Sequence, residues 1–215
     1  MRKLSVTLLL CILATALFAQ VQTAIFAGPQ ISSVKYTIQS KKQEPGHKYG
    51  FQAGVLVKVP FENKLYFAPA VFYSMKGYKV DLSLPSFPPD TLAIDNDTRL
   101  HTFELAPLLQ YDFSTQPNHF FVKLGPSLDI QLFGKEKFNR SNQTTIEQDM
   151  VFSFTRYGRF AASLIMQLGY ETGSGLIIFA QYNHGMGSMN NADFGPRIWH
   201  RAYGISLGKY LNRKK

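Results

Sequence analysis

Eight charged side chains stand on stretches that are otherwise apolar or small: Lys58, Lys76, Lys123 and Arg159, and Glu104, Asp112, Asp129 and Glu171. Carboxylates in such a setting can do acid and base chemistry if their surroundings set their acidities apart, with a lysine as electrostatic partner. Four bases against four acids also permit complete pairing. A low-dielectric interior favours pairing strongly, because an isolated buried charge costs several kcal/mol. The eight residues are therefore expected to form a structural charge network inside the fold, with no catalytic role.

The other residues capable of chemistry do not converge. His47, His101, His119, His184 and His200 are dispersed, and no His-Glu-x-x-His pair is present to hold a metal. The Gly-rich stretch 169–175 lacks the lysine and following helix of a phosphate-binding loop and reads as a turn. Asn96-Asp97-Thr98, Asn139-Arg140-Ser141 and Asn142-Gln143-Thr144 match glycosylation acceptors formally, and Asp90-Thr91-Leu92 has the form of an O-glycan acceptor. The reading is of a protein that is not an enzyme and needs no cofactor or metal.

The elements that would carry the network come from periodicity. From Thr102 to Phe113 the chain alternates strictly. Phe103, Leu105, Pro107, Leu109, Tyr111 and Phe113 share one face, against Thr102, Glu104, Ala106, Leu108, Gln110 and Asp112. The same split recurs from Phe121 to Leu132, over 159–171, and from Leu65 to Lys76. Weaker versions lie at 51–59, 176–183 and 203–210, with a first strand near 21–34. This predicts eight strands, with ten as the alternative count, and no long amphipathic helix.

One face of these strands is apolar and the other is built of Gly, Ala, Ser and Gln with isolated charges. A water-facing sheet would be denser in Lys and Glu, whereas small residues suit the confined interior of an eight-stranded barrel. Connections alternate in length: short at 60–63, 114–118 and 172–175, long at about 36–47, 77–98, 134–155 and 187–197. Pro85, Pro88 and Pro89 bar a crossing strand from 77–98. Alternation of this kind marks an up-and-down barrel in the bacterial outer membrane, with short periplasmic turns, long extracellular loops and both termini periplasmic.

Aromatics make up 14% of the chain and charged residues 17%, a balance suited to membrane girdles. The predicted belts are Tyr66, Phe67, Tyr111, Phe113, Phe120, Tyr170 and Tyr210 on the turn side, and Tyr49, Tyr73, Tyr78, Phe133, Tyr157, Trp199 and Tyr203 on the loop side.

Residues 1–19 read as a cleaved signal peptide and 20–215 as the barrel domain. Arg2 and Lys3 precede an apolar run from Leu4 to Phe18, too short to span a bilayer at roughly 20 residues, and Ala14, Ala16 and Ala19 suit a cut after Ala19. Cleavage removes Cys11, the only cysteine, and with it any disulfide framework or thiol nucleophile. Of the net charge of +9 it leaves +7, scattered through loops and the Arg213-Lys214-Lys215 tail rather than set on one helix face, which argues against nucleic acid.

The chain resembles the outer-membrane β-barrel family common in Bacteroidetes, often labelled PorT-like or porin family. The resemblance rests on Ala27-Gly28, Phe72-Tyr73-Ser74-Met75-Lys76-Gly77, Phe103 to Leu109 and Leu124-Gly125-Pro126, and covers the chain beyond the signal segment. It implies insertion by the barrel-assembly machinery and contact with outer-membrane lipid and lipopolysaccharide, but no fixed activity. In place of a terminal aromatic the chain runs on from Leu211 to Lys215, leaving Ile205, Leu207 and Tyr210 to supply an assembly signal. The leading expectation is an envelope-integrity or adhesion barrel with an unidentified protein partner at its loops. A narrow channel or transport accessory is the alternative, and a membrane enzyme acting on lipid or peptide the third.

Overall fold

Strict alternation with a small-residue inner face calls for a sheet that closes on itself, and the chain does this. The computed structural model describes residues 21–82, 92–142 and 144–212. The expected signal segment, Pro85, Pro88, Pro89 and the basic tail lie outside the described residues.

Among the described residues there are thirteen strands, ten of which form eight staves. They are β1 (Gln22–Ile38), β4 (Lys48–Glu62), β5 (Leu65–Phe67) continued by β6 (Ala70–Asp81), β7 (Asp95–Ala106) continued by β8 (Leu109–Asp112), β9 (His119–Asn139), β11 (Phe160–Glu171), β12 (Leu176–Gly185) and β13 (Arg197–Tyr210). The short pieces β2 (Lys41–Lys42), β3 (Glu44–Gly46) and β10 (Thr145–Asp149) are added beyond them. Two staves break at Pro69 and Pro107, where proline has no N–H to give the ladder. The gaps face each other and are bridged by the Ala68 amide, which donates to the Leu108 carbonyl at 2.7 Å.

The staves pair antiparallel in a ring. β1 pairs with β4, β4 with β6, β6 with β7, and β7 with β9. β9 pairs with β11, β11 with β12, β12 with β13, and β13 returns to β1 over a register from Ala24↔Tyr210 to Thr37↔Arg197. The sheet therefore has no free edge along its staves, which satisfies every strand within the wall.

At one end the staves join by tight turns. Asn63 adopts a left-handed φ of 49° and Gly175 one of 84°, conformations that Asn and Gly tolerate. The first and last described strands begin and end here, where the Thr23 amide donates to Asn212 Oδ1 at 2.8 Å. At the other end the strands outrun the bilayer. β9 has 21 residues, about twice the 9 to 11 that cross, and its upper part forms a hairpin with β10.

This corrects the expected loops. Residues 77–81 and 95–98 are strand, paired down to Asp81↔Asp95, so the connection shrinks to 82–94. Likewise 134–139 and 145–149 are a paired hairpin. Beyond the membrane the apolar side chains, such as Tyr78, Val80 and Phe138, turn inward and the polar ones outward, the reverse of the pattern within the bilayer.

The outer wall carries exposed Ile25, Val55, Val71, Leu124, Leu128, Leu164, Met166, Leu168, Ile178, Ile205 and Leu207. Aromatic contacts flank this band. At the turn end Phe120 packs edge-on against Tyr170 at 4.8 Å, and at the loop end His101 stacks on Phe133 at 4.3 Å and Tyr182 on Tyr203 at 4.8 Å. Three expected belt residues on the staves point inward instead: Tyr210 and Tyr78 are buried, and the Tyr66 ring lies beneath Lys58 Nζ at 4.3 Å. Their positions share the inner phase of their strands, and aromatic identity does not override pleat.

Candidate functional site

The lumen is filled in layers, and its ion pairs fall in two of them. Near the turn end, Lys58 Nζ lies 2.6 Å from Asp112 Oδ2 and 3.0 Å from Glu171 Oε2. Gln110 Nε2 donates to both acids at 2.6 and 2.8 Å, and the Tyr210 hydroxyl donates to Glu171 at 2.8 Å. His119 joins them, with Nε2 3.0 Å from Asp112 Oδ2 and Nδ1 2.7 Å from the Gln116 carbonyl. Ligand atoms of Asp112, His119 and Glu171 fall within 4.8 Å of one another, close enough for a metal, but the Lys58 ammonium is bonded to both carboxylates.

Deeper in the lumen an apolar layer fills the cross-section with Phe26, Leu56, Phe72, Phe121, Ile165 and Phe179. Phe72 crosses over Gly54, where a Cβ would lie 2.3 Å from the Phe72 Cβ, so only glycine admits the ring. A polar chain follows: Gln167 donates to Gln181, Gln181 to Gln52 and Gln52 to Ser206, at 2.7, 3.1 and 3.0 Å.

The second charged layer is Lys76 between Glu104 at 2.6 Å and Asp129 at 3.0 Å. Asn183 donates to Glu104 at 3.0 Å, while Ser163 and Ser127 donate to Asp129 at 2.9 and 2.8 Å. Every oxygen of this group is engaged within the wall.

The eight charges of the sequence thus separate. Lys58, Asp112 and Glu171 form one group, and Lys76, Glu104 and Asp129 the other. Lys123 is buried with its Nζ 4.7 Å from the Phe121 ring and 5.8 Å from that of Phe179, in no ion pair among the described residues. Arg159 is a correction. It is exposed, its guanidinium 5.4 Å from the Phe152 ring and its Nη1 donating to the Gln131 carbonyl at 3.2 Å. It precedes β11, where the wall no longer imposes the inner phase.

Above Asp129 the pleat changes phase. A bulge opposite His101 leaves Leu132 and Phe133 both outside, after which Gly134, Glu136 and Phe138 point inward. Glu136 thereby enters the mouth at the loop end, beyond the aromatic belt, and is 1% exposed. The Tyr157 hydroxyl donates to its Oε1, and Gln148 Nε2 to its Oε2 at 3.3 Å. Burial, with Tyr78 and Glu136 adding, keeps the Tyr157 hydroxyl protonated well beyond its ordinary range, so it serves as a donor. Burial also pushes the Glu136 carboxyl up, against the two hydrogen bonds that hold it down. The sequence reading placed Glu136 in a loop and Tyr157 in the belt. The missed signal was the break in alternation at Leu132-Phe133. His119 was legible in principle, since the inner phase of Phe121 and Lys123 extends back to it.

A family profile described as outer membrane protein beta-barrel domain matches residues 18–191. No curated protein is matched by the sequence. Among solved structures, the chain is similar to the attachment invasion locus protein Ail of Yersinia pestis, at 15% identity and a TM-score of 0.47, covering 89% of this chain and 99% of that one. It is also similar to Neisserial surface protein A, at 16% identity and 0.45, covering 87% and 99%. The outer membrane protein OprG of Pseudomonas aeruginosa is similar at 13% identity and 0.45, covering 89% and 96%.

Proposed function

The chain belongs to the outer-membrane β-barrel domain family and resides in the bacterial outer membrane, and from that premise we propose that it is a closed, non-enzymatic envelope barrel that works through its long-loop end. The observation that carries this reading is the filled lumen. Two lysine-centred charge groups, a layer of Phe and Ile and a glutamine chain occupy the interior from turn to loop, which supports a closed lumen. What differs from one such barrel to another is then left to the loop end, where polar strands and connections project past the membrane.

The finer assignments are part of the proposal. The four motifs given above support a PorT-like affiliation among Bacteroidetes barrels. The pairing of Thr23 with Asn212 beside the short turns supports periplasmic termini, and residues 1–19 have the pattern of a cleaved export signal. Exposed apolar staves between aromatic girdles suit outer-membrane lipid and lipopolysaccharide, and insertion falls to the barrel-assembly machinery. An envelope-integrity or adhesion role with a protein partner at the loops follows from this placement.

Reconstitution into planar bilayers tests the closed lumen. Purified protein is expected to leave the membrane at its baseline current. Steady, reproducible conductance steps would replace this reading with that of a channel.

A further inference from the structure

Four of the five most deeply buried acids have a lysine within 3.0 Å: Glu104 and Asp129 share Lys76, and Asp112 and Glu171 share Lys58. Glu136 is equally buried and has no cationic partner within 4 Å among the described residues. A carboxylate taken out of water without a counter-charge is costly, and this one has been given neutral donors only.

Glu136 also lines a large cavity. The mouth holds a space of about 370 Å³, within the range of small-molecule sites. Its walls include the rings of Tyr36, Phe138 and Tyr157 and the amides of Asn96 and Gln148, with Arg156 exposed at the rim. Aromatic faces beside a buried carboxylate match the two halves of an amphipathic cation: the rings attract positive charge and pack an apolar body, and the carboxylate accepts from N–H. An anionic ligand would meet the Glu136 charge, and a purely apolar one would strand it.

We propose that the mouth cavity is a binding site for a small organic ammonium ion, its charged head against Glu136 and its apolar body against Tyr36 and Phe138. The ammonium replaces the lysine that each lumen acid has within the chain. The cavity has room for at least one aromatic ring with a short amine arm. The site stands independently of the closed-barrel reading, since a conducting barrel could carry it and a silent one could lack it.

Isothermal titration calorimetry of the detergent-solubilised protein at neutral pH tests it, with 2-phenylethylammonium as probe and 2-phenylethanol as its neutral counterpart. The amine is expected to bind one saturable site with Kd on the order of 0.1 to 1 mM, and the alcohol at least about tenfold more weakly. Glu136→Gln keeps the shape and removes the charge, and should weaken the amine by about tenfold or more. Ala192→Trp, which fills the cavity from its loop side and leaves Glu136 intact, should abolish binding. Retained heat-modifiable mobility on gels shows that each variant is folded. Equal affinity for amine and alcohol, undiminished amine binding by Glu136→Gln, or no saturable heat with the unmodified protein would each overturn the proposal.

Discussion

The lumen and the mouth of this barrel bury acids in opposite ways. In the lumen each carboxylate is closed off by a lysine and by donors from neighbouring staves, so that Lys76 alone holds Glu104 and Asp129, with Asn183, Ser127 and Ser163 completing the shell. In the mouth Glu136 has a tyrosine and a glutamine but no cation, and it borders an open cavity. A saturated network holds a wall together and offers nothing to a ligand. An unsaturated one leaves interaction energy for something outside the chain. The same residue type therefore reports structure in one region and recognition in the other.

Substitutions can break or sharpen that contrast. The largest effect is expected from Lys76→Met, which leaves Glu104 and Asp129 buried together without their shared cation. A loss of about 3–5 kcal/mol is expected, read as a lowered midpoint in urea-induced loss of the heat-modifiable band. Phe72→Ala should follow at about 3 kcal/mol or somewhat more, since it empties the apolar layer over Gly54 and the wall cannot collapse to fill it. Glu136→Gln should cost about 1 kcal/mol by the same measurement, because no ion pair is lost and only one of the two donors loses its acceptor oxygen, a loss that a turned Gln148 amide offsets by accepting from the new NH2. Lys135→Ala, which removes an exposed pair with Glu147 at 3.3 Å, should change stability by no more than about 0.5 kcal/mol. If Glu136→Gln proved as damaging as Lys76→Met, the distinction between the two regions would fail.

Much of the lumen was legible in the sequence because a barrel wall enforces a period of two. The inner sets Thr102 to Asp112 and Phe121 to Gln131 fall where alternation puts them, and seven of the eight charges are buried on these and neighbouring staves. Alternation fixes a face but not a depth. It could not tell that Lys58 meets Asp112 and Glu171 while Lys76 meets Glu104 and Asp129, because stagger between staves decides which rows coincide. It also fails at irregularities. The bulge at Leu132-Phe133 inverts the phase and carries Glu136 inward, and Arg159 escapes the wall just before β11 begins. Beyond the membrane the apolar side changes face, with Tyr78, Val80 and Phe138 buried inward and Lys79, Asp81 and Lys137 exposed, so the extensions do not continue the apolar-outward pattern of the staves.

The most direct test of a sealed lumen beneath an accessible mouth is cysteine accessibility in the folded barrel, which is simple here because Cys11, in the expected signal segment, is the only native cysteine. Ser74→Cys and Ser163→Cys place thiols in the lumen, where both serines are at most 1% exposed, and Ala192→Cys places one at the mouth cavity. With a small water-soluble thiosulfonate and detection by mass, the account predicts rapid modification at 192 and none at 74 or 163 until the barrel is unfolded. Modification of the folded protein at 74 or 163 as fast as at 192 would contradict it.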